Sequence, residues 1–102
     1  MHADENVLAV LEVDLDDDLH FAPQMLLLTQ RRLLSWRGGA RPVEHWVIGA
    51  ELALRHSDHA GVGTLDLVAQ DVRLTRWRYT LGRNVQALRL IQRFETLQDH
   101  LS

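Results

Sequence analysis

TLDLVAQDVRLTRWRYTLGRNVQALRLIQRFETLQDHL, residues Thr64–Leu101, changes its period partway through, and that change decides the fold. Thr64-Leu65-Asp66-Leu67-Val68 alternates, with Leu65 and Leu67 inward and Thr64 and Asp66 outward. Ala69-Gln70-Asp71 reads as a turn, and Val72–Thr80 as the returning strand. Trp77 and Tyr79 share one face of it, Arg76 and Arg78 the other. Leu74 is out of step with Trp77, which predicts a bulge between them. Gly82-Arg83-Asn84 then breaks the strand, and Asn84 is expected to cap a helix with its side-chain oxygen. From there Ala87, Leu90, Ile91, Phe94, Leu97 and Leu101 recur at three- and four-residue spacing. At about 100° per residue they form one apolar stripe, so an amphipathic helix is expected over about 84–101.

Upstream of this stretch the signals are strands. Leu11, Val13 and Leu15 alternate with Glu12 and Asp14; residues before Leu11 fit a strand or a short helical face equally. Residues 14–20 form an acidic connector. Pro23 opens Gln24–Thr29, whose centre Met25-Leu26-Leu27-Leu28 is continuously apolar and reads as a strand buried on both faces. Thr29–Arg32 is the expected turn and Leu33–Arg37 the returning strand, ended by Gly38-Gly39. Pro42–Gly49 is ambiguous, with Trp46 and Ile48 on one face if it is a strand. Leu52–His56 reads as a strand, and Gly61-Val62-Gly63 as a tight turn or bulge. Strands followed by a helix, rather than alternating with helices, argue for an antiparallel α+β or closed-barrel domain.

Size and composition bound the function. One domain accounts for 102 residues, with 46% hydrophobic and 25% charged residues to build an ordinary core and surface. Cysteine is absent, which excludes disulfides and thiolate metal sites. The start, Met1-His2-Ala3-Asp4-Glu5, is acidic and lacks the basic, apolar pattern of an export signal. Val7–Leu11 is the longest apolar run, far short of the ~20 residues of a membrane span. A net charge of −3 argues against nucleic acid as a partner. All 11 basic residues are Arg. Without Lys there is neither a phosphate-binding Gly-Lys-Ser/Thr loop nor a Schiff-base amine.

Three constellations fail on their spacing. Asp14, Asp16 and Asp18 open like a calcium loop, but Leu19 and Met25 stand where Gly and Glu are required. His45, His56, Asp58 and His59 have zinc-ligand chemistry without a helical ligand spacing, and His56–His59 is expected in a surface turn. No Ser or Thr sits in a nucleophile elbow. The chain is therefore expected to have no catalytic, cofactor or metal site. What remains is a set of arginines, Arg31 and Arg32 in one turn and Arg73, Arg76 and Arg78 in one strand. If brought together they make an anion-binding face; otherwise they are a solvated, salt-paired surface.

Pro23–Trp36, with Leu28-Thr29-Gln30-Arg31-Arg32-Leu33-Leu34, resembles the L-T-x-x-R-L-L hairpin of bacterial pleckstrin-homology-like domains. The resemblance implies a strongly bent antiparallel sheet, partly closed, with a C-terminal helix capping one end. His59–Leu67 followed by Arg76-Trp77-Arg78-Tyr79-Thr80 is similar to the N-terminal extension of certain proteobacterial ABC exporters. That similarity implies a non-catalytic cytoplasmic accessory domain. Its partners would be transmembrane and ATP-binding domains of the same polypeptide, with ATP hydrolysis residing there. The alternative is a free-standing adaptor that binds a peptide or an anionic head group through Arg31, Arg32, Arg73, Arg76 and Arg78.

Overall fold

Short apolar alternations separated by turn residues fold into seven strands. The computed structural model describes residues 5–16 and 18–100. The strands are β1 (Val7–Leu15), β2 (Phe21–Thr29), β3 (Arg32–Trp36), β4 (Glu44–Val47), β5 (Leu52–His59), β6 (Val62–Ala69) and β7 (Val72–Thr80). A 3-10 turn, Leu81–Arg83, leads into helix α1 (Asn84–Asp99). All seven strands join one antiparallel sheet in the order β4-β3-β2-β1-β7-β6-β5. The expected mainly β fold, a bent and partly closed antiparallel sheet with one C-terminal helix, is the fold observed.

The bend follows from a narrow join. β1 meets β7 with Leu15 opposite Arg78, so β1–β4 and β5–β7 hinge there and fold face to face. Trp77 is a central contact between the halves. Its ring meets Trp46 edge-on at 5.7 Å and 88°, and its indole N–H donates to the Ser35 hydroxyl at 2.9 Å. Between the halves lies a core of Leu11, Leu26, Leu28, Leu33, Leu65, Leu67, Trp77 and Tyr79. Helix α1 closes one end with Ala87, Leu90 and Phe94, all fully buried. Two side chains tie it down. Gln86 accepts from the Glu12 backbone N–H at 2.9 Å. At the other end of the helix, Gln98 donates to the carbonyls of Gly49 and Leu52, spanning the seam between β4 and β5.

Gly63 is required by a close approach. It lies between Asp58 and Tyr79 in the sheet, and the Tyr79 ring crosses its Cα so closely that a Cβ there would sit 2.2 Å from a ring carbon. Gly63→Ala must displace that ring, at an expected cost of about 1–3 kcal/mol, the range for overpacking a core. Chemical denaturation followed by Trp fluorescence measures it; an unchanged midpoint would mean that the ring moves freely.

Most departures from the sequence reading are local. A bulge is present in β7, but at Leu74 itself rather than between Leu74 and Trp77: Leu67 faces Thr75 while Val68 faces Arg73, leaving Leu74 extra. Asn84 is not the cap. It is the first helical residue, Arg83 precedes it, and no side chain caps that end. The preceding 3-10 turn absorbs part of the transition, so the polypeptide is already helical where a cap would stand. The connector is shorter than expected, because Asp14 and Leu15 belong to β1. His56–His59 is strand, not turn: β5 pairs with β6 without interruption to His59 opposite Val62, and the turn falls at Ala60 and Gly61. Leu101, Asp17 and residues 1–4 lie outside the described residues.

Candidate functional site

The five candidate arginines do not form one face. Arg31 and Arg32 sit at the β2–β3 hairpin, level with Val7 at the start of β1, whereas Arg78 faces Leu15 at its end. Eight residues of β1 separate those levels, about 26 Å along the strand at 3.3 Å per residue. Arg32 is also structural. Its guanidinium binds Glu5 through both ends, at 2.8 and 3.0 Å, and the Glu5 side chain is fully buried. Thr29 donates a third hydrogen bond to the same carboxylate at 2.7 Å.

On β7 the arginines gather, joined by one that the sequence reading passed over. Arg37, Arg73, Arg76 and Arg78 line a shallow depression of about 330 Å³ with Thr75. Arg37 bridges the two halves of the sheet, donating to Gln24 at 3.1 Å, to the Thr75 hydroxyl at 2.7 Å and to the Arg76 carbonyl at 3.2 Å. Its guanidinium lies 5.4 Å from the centre of the Trp77 ring. Arg76 chelates Asp66 at 2.6 and 2.9 Å. Only Arg73 among the four is exposed.

Hydrogen bonding from Arg76 holds the Asp66 carboxyl below its ordinary value, against the opposing effect of burial. A carboxyl depressed in the folded state stabilises fully above its unfolded pKa of about 4 and loses that contribution as pH falls through the folded value. Asp66→Asn is therefore expected to reduce stability at pH 7 and to flatten the acid limb of a urea-midpoint profile. An acid limb identical to wild type would assign the acid loss to other carboxylates.

The ligating groups also rearrange. Asp14 points away from the connector and accepts from the Thr80 N–H at 2.8 Å and its hydroxyl at 2.6 Å. Asp16, Asp18 and His20 bring ligand atoms within 4.8 Å of one another. One Asp16 oxygen already accepts the backbone N–H groups of Asp18 and His20, each at 2.9 Å, which closes the turn. No grouping of three ligand residues among the described residues includes His45, His56 or His59.

A larger concave surface lies elsewhere. Opposed residues of antiparallel strands share a face, so the register defines the outer side of β1–β4. Val10, Leu27, Leu34 and His45 form one row across it, and Glu12, Met25 and Trp36 the next. Met25, Leu27, Leu34, Trp36 and Val43 line a groove of about 530 Å³, with Arg32 and His45 at its polar margin. Arg32 and the His45 Nδ1 lie 2.8 Å apart, so that nitrogen accepts. The groove falls within the range of about 300–1,000 Å³ typical of ligand sites, with the usual apolar lining and few polar groups. The outer side of β5–β7 is different: Arg55, Asp66 and Arg76 form one row, Ser57, Thr64 and Arg78 another.

Met25-Leu26-Leu27-Leu28 is therefore not buried on both faces. Leu26 and Leu28 are in the core, while Met25 and Leu27 are half-buried in the groove. The run of four apolar residues was the signal for this surface, and the sequence reading missed it by assigning the second face to the interior. Helix α1 packs against β1 and the barrel end, leaving the outer side of β2 and β3 uncovered by the described residues. No family model matches this chain, and neither a curated protein nor a solved structure does.

Proposed function

We propose that this chain is a non-catalytic docking domain that receives an apolar protein segment on the outer side of β1–β4. The observation that supports this is the uninterrupted apolar row Val10, Leu27, Leu34, with Met25 and Trp36 beside it, open to solvent as a groove. A strand that is apolar on both sides belongs between two covers. Contiguous exposed apolar surface on a domain marks an interaction site. In the reading suggested by the exporter-extension resemblance, the cover is a neighbouring transmembrane or ATP-binding domain of the same polypeptide, and the location is cytoplasmic. No helix among the described residues is long and apolar enough to cross a membrane.

A second reading takes the β7 depression as a site for an acidic partner or an anionic head group, favoured by the convergence of Arg37, Arg73, Arg76 and Arg78 on it. The pairing of Arg76 with Asp66 counts against it, because a new anion would compete with an anion already bound.

Selection from a displayed random-peptide library separates the two. Apolar, aromatic-rich peptides are expected, with binding lost in Val43→Glu while the thermal midpoint stays put, since Val43 is 55% exposed. Acidic peptides released by salt and by Arg73→Gln would overturn the groove in favour of β7.

A further inference from the structure

The sheet is open, so it has two edges, β4 and β5. Exposed edges present unpaired backbone donors and acceptors and are usually blunted by brevity, proline, a bulge or charged side chains. β4 follows the first pattern, with four residues close behind Pro42. β5 has none of the first three, and its charged residues, Arg55 and Asp58, stand among histidines in an order that can complement a second copy of itself. It has eight residues, contains no proline, and holds an unbroken register with β6 from Leu52 to His59. Its last five residues, Arg55–His59, are all exposed.

We propose that β5 pairs antiparallel with β5 of a second copy of this chain, about a twofold axis through Ser57. A twofold joining two edges keeps the same sheet face on the same side, so a residue can oppose only one of its own alternation. The axis must then pass through a residue. Through Ser57, His56 of one copy faces Asp58 of the other, twice, an imidazole set against a carboxylate. Arg55 faces the other copy's His59, an arrangement that Arg32 and His45 already make within this molecule at 2.8 Å. An axis through Arg55 would put two guanidinium groups face to face, and one through Asp58 two carboxylates. An axis through His56 would oppose Leu54 to Asp58. The charges on the edge thus select one register, and opposite charges across a strand pair stabilise while like charges repel. Closed twofold dimers are the commonest oligomers.

The test is sedimentation equilibrium on the whole chain from micromolar to millimolar concentration. The expected result is a shift from 11.7 kDa toward twice that mass. His56→Asp, which sets two carboxylates together at two symmetric positions, should weaken association by about tenfold or more, and Asp58→Ala, which removes the carboxylate opposite His56 at both, should weaken it as well. The exchanged double variant His56→Asp/Asp58→His recreates both contacts and should restore it. Amide hydrogen exchange on the unmodified chain gives an independent reading, with protection of Leu54–His59 that grows with concentration. A monomer at every concentration overturns the proposal. So does a dimer indifferent to both single substitutions, a double variant that fails to recover, or exchange in β5 that is independent of concentration. None of these outcomes bears on the groove, whose residues lie in the other half of the sheet.

Discussion

Phe94→Ala is expected to cost about 3–5 kcal/mol, the range for deleting a buried aromatic ring. Phe94 is fully buried, midway along the face of α1 that closes the barrel, with Leu90 one turn before it and the half-buried Leu97 after. The helix cannot settle into the vacated space, because both its ends are held: Gln86 by the backbone of β1, Gln98 by the carbonyls of Gly49 and Leu52. A cavity therefore remains. Total stability for a domain of this kind is about 5–15 kcal/mol, so the variant should lose a large part of it, measured by urea denaturation. A midpoint close to wild type would show that α1 does not close the core.

Arg32→Ala is expected to cost a similar amount, about 3–5 kcal/mol, because it takes a bidentate charged partner away from a buried carboxylate. The Glu5 side chain has no exposed surface, and both Arg32 and the Thr29 hydroxyl hold its carboxylate. Replacing Glu5 as well, in Arg32→Ala/Glu5→Ala, should recover part of the loss. That recovery distinguishes a stranded charge from lost packing around the arginine stem. If Arg32→Ala and the double variant lose equally, the pair contributes shape rather than charge balance. Either result bears on function, since an arginine that pins Glu5 to the β2–β3 hairpin is engaged in holding the fold.

The elements that read clearly from sequence are those whose signal is local. Leu65 and Leu67 alternate, Trp77 and Tyr79 alternate, and Ala87, Leu90 and Phe94 repeat at helical spacing. In each case the periodicity is itself the burial pattern. That β7 carries a bulge was legible as a break of phase between Leu74 and Trp77, while its position at Leu74 itself was not. The turn at Gln70 and Asp71, where both residues take positive φ, was marked by its composition.

Side-chain partners were not legible in this way. Nothing near Asp14 indicates that it reaches Thr80, and nothing near Arg32 indicates Glu5, 27 positions earlier. Those contacts exist because strand pairing brings distant stretches level, β1 beside β2 for Glu5 and Arg32, and β1 beside β7, where the sheet bends, for Asp14 and Thr80. The same bend decides which arginines meet, separating Arg31 and Arg32 from Arg73, Arg76 and Arg78 and adding Arg37 to the latter.

By itself, then, the order of residues determined a strand-rich domain closed by a C-terminal helix, because period 2 and period 3.6 are properties of neighbours along the chain. Whether the second face of Met25–Leu28 is covered was a different kind of question. Its answer depends on where α1 packs, and α1 packs against β1 and the barrel end. Only the tertiary structure decided that, and with it that Met25, Leu27, Leu34 and Trp36 face outward as a groove. Burial of a strand's second face is set by what lies opposite it in space, and no spacing within the strand encodes that.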